Sequence, residues 1–455
     1  MASAAEQLAA NLNFGAFAKA EELKKRIWFT LGALLVYRLG TYIPIPGINI
    51  EAFRQALQPQ AGFLGMVNMF SGGAVERMAI FALNIMPYIS ASIIMQLMQS
   101  VVPSLEALKK EGEAGRKTLN QYTRYLTVVL ATAQALGIAL ALQGPGRGSG
   151  PALVLDPGPF FVISTVTTLV GGTMFLMWLG EQITARGVGN GTSLIIMAGI
   201  VAEFPKAIMG ALELTRQGNL SVMMLFALAA LALAVVGAIV FFERAQRRLL
   251  VQYPKRQMGN RMFQGDASHL PLKLNASGVI PPIFAYSLLL LPTTVAAFSQ
   301  GQGGEGGTYE WLGTIVAYLA PGRPLYIAVF VALVVFFAFF YTSIVLNPQE
   351  TADNLRKYGG FLPGIRPGAK TAAYIDYVLT RITVVGAIYL AAVCVLPEIL
   401  QSRTGTSLAF GGTSLLIVVS VTMDTVAQIQ SHLLAHQYEG LIKKAKLRGA
   451  TRHMK

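Results

Sequence analysis

Charge is what this chain has least of. Only 13% of its 455 residues are Asp, Glu, Lys or Arg, against 54% that are apolar. That balance excludes a soluble domain of this size and points to a polytopic helical membrane protein. One cysteine, Cys394, lies inside an apolar run, so no intrachain disulfide is possible. The four histidines, His269, His432, His436 and His453, all fall at or beyond the ends of apolar runs. No metal constellation and no nucleophile with a base stands out. Gly187-Val188-Gly189-Asn190-Gly191 superficially resembles a phosphate loop, but it follows an apolar helix rather than a strand and lacks Lys-Ser/Thr. It reads as a tight turn. Enzymatic function is not expected, and no cofactor or metal is implied.

What is present is apolar length. Ten spans are expected, at about Ile27–Ile43, Met78–Met98, Tyr122–Leu142, Phe160–Leu179, Thr192–Met209, Leu220–Phe242, Asn275–Phe298, Leu325–Leu346, Ile382–Leu400 and Gly411–His432. Residues 1–26 read as a retained amphipathic lead ending in Lys24-Lys25-Arg26, and 438–455 as a basic tail.

The stretch from Phe63 to Val102 organises the rest. As one helix it would run about 60 Å, twice the roughly 30 Å hydrocarbon core of a bilayer. It must break, and Ser71-Gly72-Gly73 is where glycine disfavours helix. Phe63 to Val75 is then too short to span and too apolar for open water. Such backbone survives only inside protein or along a cavity, so a short re-entrant helix stopping a cavity is expected. A channel or a transporter follows.

Lysine and arginine orient the bundle. With the N-terminus inside, twenty-eight fall on inside segments and seven outside. Arg38 completes the set, near the outer end of the first span where it can snorkel. The four-to-one bias puts both termini inside and accounts for most of the net charge of +14 without nucleic acid.

Two inside loops exceed what topology needs. In 243–273, Arg244, Arg247 and Arg248 fall at i, i+3 and i+4, on one face of a continued sixth helix. The chain then turns extended and returns past Lys255-Arg256. In 347–381, Asn347-Pro348-Gln349-Glu350 opens a short helix that ends near Gly359-Gly360. Pro363 to Gly368 follows as tight turns with Arg366 at the apex. Ordinary positive-inside loops are one reading; a docking surface for a large anionic partner is the other.

Polar and proline positions inside the spans carry the same ambiguity. Gln96 and Gln99 lie one turn apart, Asn275 opens the seventh span, and Asp424 and Gln428 sit at i, i+4 in the last. Each can glue helices, and Asp424 admits a functional role. Pro87 and Pro281-Pro282 are expected to break their spans at mid-depth, as static kinks or as a pair of hinges.

Several of these segments share one resemblance. Phe70-Ser71-Gly72-Gly73, Ile85 to Ile93 (IMPYISASI), Gly180-Glu181-Gln182-Ile183-Thr184, Gly189-Asn190-Gly191, His269 to Lys273 (HLPLK), Gly278-Val279-Ile280-Pro281, Asn347-Pro348, Glu350 to Leu355 (ETADNL), Pro363 to Gly368 (PGIRPG) and Gly411 to Ile417 (GGTSLLI) resemble the bacterial SecY family. These are the channel subunits of the general secretory translocon. The resemblance runs in order over nearly the whole chain.

It implies an all-α protein of ten transmembrane helices in two pseudo-symmetric five-helix halves around a central pore, the halves being 27–210 and 211–437. It implies passage of unfolded secretory polypeptides across the bacterial plasma membrane and sideways release of membrane segments into lipid. Positions matching the pore ring are Ile85, Ile89, Thr192, Ile196, Ile283 and Ile417, with Thr192 departing from the usual aliphatic residue. The plug matches 63–75, including Phe63, Asn68, Met69, Phe70, Ser71, Gly72 and Gly73. Lateral-gate positions are Pro87, Gln96, Asn275, Pro281 and Pro282. Lys255, Arg256, Arg356 and Arg366, with Arg244, Arg247 and Arg248, match loop positions used by the SecA motor and the ribosome. Partners implied are SecE, SecG, SecA, the ribosome with its rRNA, nascent polypeptides with signal sequences, and lipid. From residue chemistry alone, a secondary transporter for small solutes stays open.

Overall fold

The computed structural model describes residues 21–57, 68, 70–143, 153–218, 221–253, 256–258, 261–263, 267–289, 323–404 and 412–452. In chain order the elements are α1 (Glu21–Gly40), α2 (Ile50–Leu57), α3 (Met86–Val101), α4 (Pro103–Lys110), α5 (Glu113–Gln143), α6 (Pro159–Arg186), α7 (Gly191–Arg216) and α8 (Val222–Arg244). Strands β1 (Gln246–Gln252), β2 (Arg256–Met258), β3 (Arg261–Phe263) and β4 (Ala267–Lys273) follow. Then come α9 (Ile280–Leu289), α10 (Pro324–Val345), α11 (Pro348–Lys357), α12 (Ala369–Thr404) and α13 (Gly412–Arg452). Among the described residues seven helices are long and apolar enough to cross a membrane, and eight if α3 and α4, bent by 98° at Val102, count as one span.

The chain packs as two compact units, Met1–Glu203 with Val421–Lys455, and Phe204–Ser420. In the first, α5 packs on α3 and α6, and α1 lies on α6. Its core joins Ile45, Ile48 and Phe53 to Val75, Met78, Leu83, Ala135 and Leu169. The glycine-rich segment after α6 is a tight turn, as expected, and its neighbours staple it. Thr30 Oγ1 accepts from Val188 N at 3.1 Å, and Gln428 Oε1 on α13 accepts from Gly189 N at 2.9 Å. Gln428 is thus helix glue in the expected sense.

Helix begins later than expected in the second span. Residues 71–85 are turns, and α3 starts only at Met86. The turns satisfy their own backbone: Ala79 N bonds to Ala74 O at 2.8 Å, while Ile45 N reaches Met78 O and Ile80 N reaches Ile43 O, each at 2.9 Å. Hydrogen bonds to the chain after α1 replace the missing helical ladder. Pro87 therefore sits in the first turn of α3 rather than mid-span, where its missing N–H costs nothing. The expected mid-depth break at Pro281-Pro282 is corrected in the same way. Residues 274–279 are bends and turns, and the two prolines lie at the start of α9.

In the second unit α12 is the spine, with α8, α10 and α11 all packed on it. It starts at Ala369, so 369–381 is helix rather than loop. The reason is visible in its sequence. Ile375, Val378, Leu379 and Ile382 recur at helical spacing and bury against Leu249, Val251 and Leu272 of the hairpin and Leu362 of the turn. Strands β1 and β4 pair antiparallel from Gln246↔Lys273 to Gln252↔Ala267. Phe361 joins the ribbon edge, exchanging both backbone bonds with Gln252 at 2.9 Å.

The expected single face for Arg244, Arg247 and Arg248 is not formed. Ala245 leaves the helix at ψ 126, so Arg244 ends α8 while Arg247 and Arg248 are neighbours on β1. Adjacent strand residues point to opposite faces. Pairing with β4 outcompetes one more helical turn.

Candidate functional site

The positions expected to form a ring lie near helix starts. Ile85 is the N-cap residue of α3, and Ile89 N bonds back to Ile85 O at 3.1 Å. One turn apart, they share a face. Asn190 caps α7, its Oδ1 accepting from Thr192 N at 3.1 Å and Ser193 N at 3.3 Å. That cap fixes the register of Thr192 and Ile196 four residues on. In the first unit Ile85, Ile89 and Ile196 are buried and Thr192 is half-buried. The Ile85 Cδ1 lies beside Gly180 and Ile195 reaches the same spot, so Ile85 packs on α6 as well. Ile283 and Ile417 are buried within the second unit. Such branched apolar side chains can dewet a passage when it is empty.

The expected plug is described only at its C-terminal end; Phe63 and Met69 lie outside the described residues. The backbone is helical at Asn68 and Phe70 and turns from Ser71 on. Three successive carbonyls of this stem are gripped by side chains from elsewhere. Asn84 Nδ2 donates to Phe70 O at 2.7 Å, Tyr37 Oη to Ser71 O at 3.3 Å and Arg38 Nη1 to Gly72 O at 2.6 Å. Asn68 closes the turn locally, its carbonyl accepting from Gly73 N and its side chain from Glu76 N, both at 2.9 Å. Gly72 and Gly73 have φ of 65° and 81°, where a β-carbon is costly. Gly199 on α7 lets the stem approach: a β-carbon there would stand 2.5 Å from Phe70 O. Arg38 turns onto the stem, and with Arg77 it flanks the Tyr42 ring at 5.0 and 4.1 Å.

Sequence reasoning missed Tyr37, Asn84 and Gly199 in this arrangement, and did not foresee the bond from Arg38 to the stem. Asn84 offered a signal, as a lone amide in an apolar run, and it holds φ 51°, a region Asn tolerates.

Gate positions divide between the units. On α3, Gln96 Nε2 donates to Ser92 Oγ at 3.2 Å, and its buried Oε1 finds no partner among the described residues. In the second unit Asn275 is buried and fully engaged. Its Nδ2 donates to Glu243 Oε1 at 2.7 Å and to Gly278 O at 3.1 Å, and its Oδ1 accepts from Ser277 Oγ at 3.1 Å. Glu243 was not foreseen.

The basic positions are spread over the end of α8 (Arg244), the hairpin (Arg247, Arg248), the last turn of α11 (Arg356) and the turn before α12 (Arg366). Arg244, Arg247, Arg248, Arg356 and Arg366 are all exposed. Arg256 lies on β2 opposite Phe263, and Lys255 is outside the described residues. Asn347 caps α11 by accepting from Gln349 N at 3.1 Å. The carbonyl of Arg366 accepts from Thr371 Oγ1 at 3.0 Å, tying the turn to the first residues of α12. Five guanidinium-bearing positions thus stand on a scaffold with its own apolar core. Such a surface suits phosphate or carboxylate recognition. Among the described residues no group of three or more His, Cys, Asp or Glu is placed to hold a metal.

Comparison with known proteins bears on the whole arrangement. The SecY family model matches residues 79–426. The protein translocase subunit SecY of Rickettsia conorii is 55% identical over 428 residues, covering 94% of this chain and 97% of its own. That of Escherichia coli K12 is 53% identical over 429 residues, covering 94% and 96%. Among solved structures, a protein-conducting channel superposes with a TM-score of 0.65 at 17% identity, covering 90% of this chain and 92% of that one. Sec61 in the canine ribosome–channel complex from the endoplasmic reticulum gives 0.62 at 18% identity, with the same coverage. The fold is that of these channels, and the sequence places the chain firmly among the bacterial relatives: it belongs to the SecY family.

Proposed function

We propose that this protein is a membrane channel that passes unfolded polypeptide, driven by a partner rather than by chemistry of its own. Membership of the SecY family over nearly the whole chain carries this reading. The apolar residues at the helix starts supply a gasket that excludes ions at rest and yields to a passing chain. Ile85, Ile89, Thr192 and Ile196 from the first unit, with Ile283 and Ile417 from the second, are the proposed ring. The segment 63–75 is the proposed plug, with its stem held at Phe70, Ser71 and Gly72.

The finer architecture belongs to the same proposal. Ten spans in two pseudo-symmetric halves, 27–210 and 211–437, open sideways at a gate that includes Pro87, Gln96, Asn275, Pro281 and Pro282. The protein resides in a bacterial plasma membrane with both termini cytoplasmic, as the lysine and arginine distribution favours. The arginines of the hairpin and of the Arg366 turn receive the motor SecA and the ribosome; the Sec61 relative was solved in a ribosome complex. SecE and SecG are the companion subunits.

Reconstitution decides the reading. Purified protein in vesicles with its companion subunits, the motor and ATP should protect an unfolded secretory substrate from added protease. Failure to import polypeptide, with uptake of a small solute down an ion gradient instead, would overturn it.

A further inference from the structure

The last turn of α8 holds a carboxylate where a helix disfavours one. Glu243 precedes the terminal Arg244, at the negative end of the helix dipole, and is only half-exposed. Its Oε1 accepts from Asn275 Nδ2 at 2.7 Å. Asn275 in turn ties down Ser277 and Gly278, so both ends of its amide are spent inside the segment that leads into α9. The same segment is held at its other side by backbone: Leu274 N bonds to Ala245 O at 3.0 Å, extending the β1–β4 ladder past Lys273. Leu274 O also lies so close to Gly386 on α12 that an added β-carbon would meet it at 2.8 Å. Phe242 stacks on Tyr389 of α12 with ring centroids 4.4 Å apart. The hairpin that carries Arg247 and Arg248 therefore runs through one short, tightly bonded elbow into the helix that carries Pro281, Pro282 and Ile283.

We propose that Glu243 is a positioning residue. Its carboxylate locks Asn275, making the elbow 274–279 a rigid joint that converts displacement of the arginine-bearing hairpin into movement of α9. This rests on the channel reading above, in which the hairpin is pushed by a motor and α9 lines the gate. Without the lock, the elbow gives and the push is absorbed.

The test uses the full chain with its companion subunits in lipid nanodiscs and vesicles, as Glu243→Ala, Glu243→Gln, Asn275→Ala and the double alanine variant. Hydrogen exchange at Ser277, Gly278, Val279 and Ile280 should rise about tenfold in Glu243→Ala and Asn275→Ala, with the β1–β4 ladder amides unchanged. Glu243→Gln keeps an acceptor oxygen and should stay within about twofold of wild type. ATP-driven translocation should fall about fivefold in each alanine variant and no further in the double, because the two act as one unit. Unchanged elbow exchange in Glu243→Ala would overturn the proposal. So would a loosened elbow with undiminished translocation, or a double variant that falls to the product of the singles. A wild-type protein that moved no polypeptide would count against the channel reading alone, since the exchange measurements judge the joint independently.

Discussion

At the scale of single residues the isoleucines ask for the closest argument. Apolar side chains around a passage are a poor choice for conducting ions, and they make sense only if the resting state must hold ions back. Replacing Ile85, Ile89 and Ile196 together with Ser should raise resting ion conductance in planar bilayers. Thr192→Ile should lower it or leave it unchanged. Silence from a correctly folded triple variant would show that these residues do not seal. Arg366 poses a different question. It is exposed on a turn whose carbonyl is pinned by Thr371. Arg366→Glu should abolish motor-driven translocation while leaving insertion and protease resistance as in wild type, and undiminished ATP-driven export would remove the turn from the docking surface.

The residue scale is also where sequence reading reached its limit. The family was legible because it sits in recognisable local strings, such as Ile85 to Ile93 and Pro363 to Gly368. The grip on the plug stem was not. Tyr37 and Arg38 act on backbone carbonyls 34 residues away, and a carbonyl leaves no mark in the sequence. Glu243 was hidden for a related reason, since its partner Asn275 lies 32 residues on, across a whole hairpin.

At the scale of elements, periodicity served well for helix existence and poorly for helix starts. The proline pairs show why. A proline inside an apolar run looks like a kink, yet the same residue is favoured in a first turn, and only tertiary pairing decides which applies. At Pro87 the decision was made by Ile43 and Ile45, which supply the bonds that free residues 71–85 from helix. The loop before α12 turned out shorter than expected because the apolar stripe Ile375, Val378, Leu379, Ile382 had a hairpin to pack on. That stripe gives the protrusion its rigidity. Ile375→Ala removes a fully buried side chain and should destabilise the protrusion by about 3 kcal/mol. Limited proteolysis should then cut within 247–273 several-fold faster, with the apolar part of α12 still protected. Equal cleavage rates would mean the hairpin stands without this core.

At the scale of the whole molecule, the helical, strongly apolar character of the chain was legible in the sequence. Among the described residues seven helices, or eight with the bent pair, meet the length and apolarity needed to cross, and ten spans are expected over the full chain. α1 carries charge over its first turns, α3 is short because helix starts only at Met86, and the expected seventh span shows only the short α9 within the described residues. Orientation can be checked directly. Single cysteines placed at Arg116, Arg247 and Lys370 in a Cys394→Ser background should react with an impermeant maleimide only from the inner face of vesicles. Single cysteines at Leu155 and Arg216 should react only from the outer face. A crossed result at any one of the five would require a different number of spans.

Helix α8 carries one further consequence, which concerns how the protein comes to be made. Of its 23 residues only Ile239 is buried by the rest of the chain, although the helix is among the most apolar in the molecule. A segment this apolar can settle in a bilayer on its own hydropathy, with its contacts to α12 at the end that carries Phe242 and Glu243. α1, which carries Glu21, Glu22, Lys24, Lys25, Arg26 and Arg38, has no such independence. During synthesis α8 can therefore partition before anything after it exists, giving the elements of the second unit a fixed post against which to assemble.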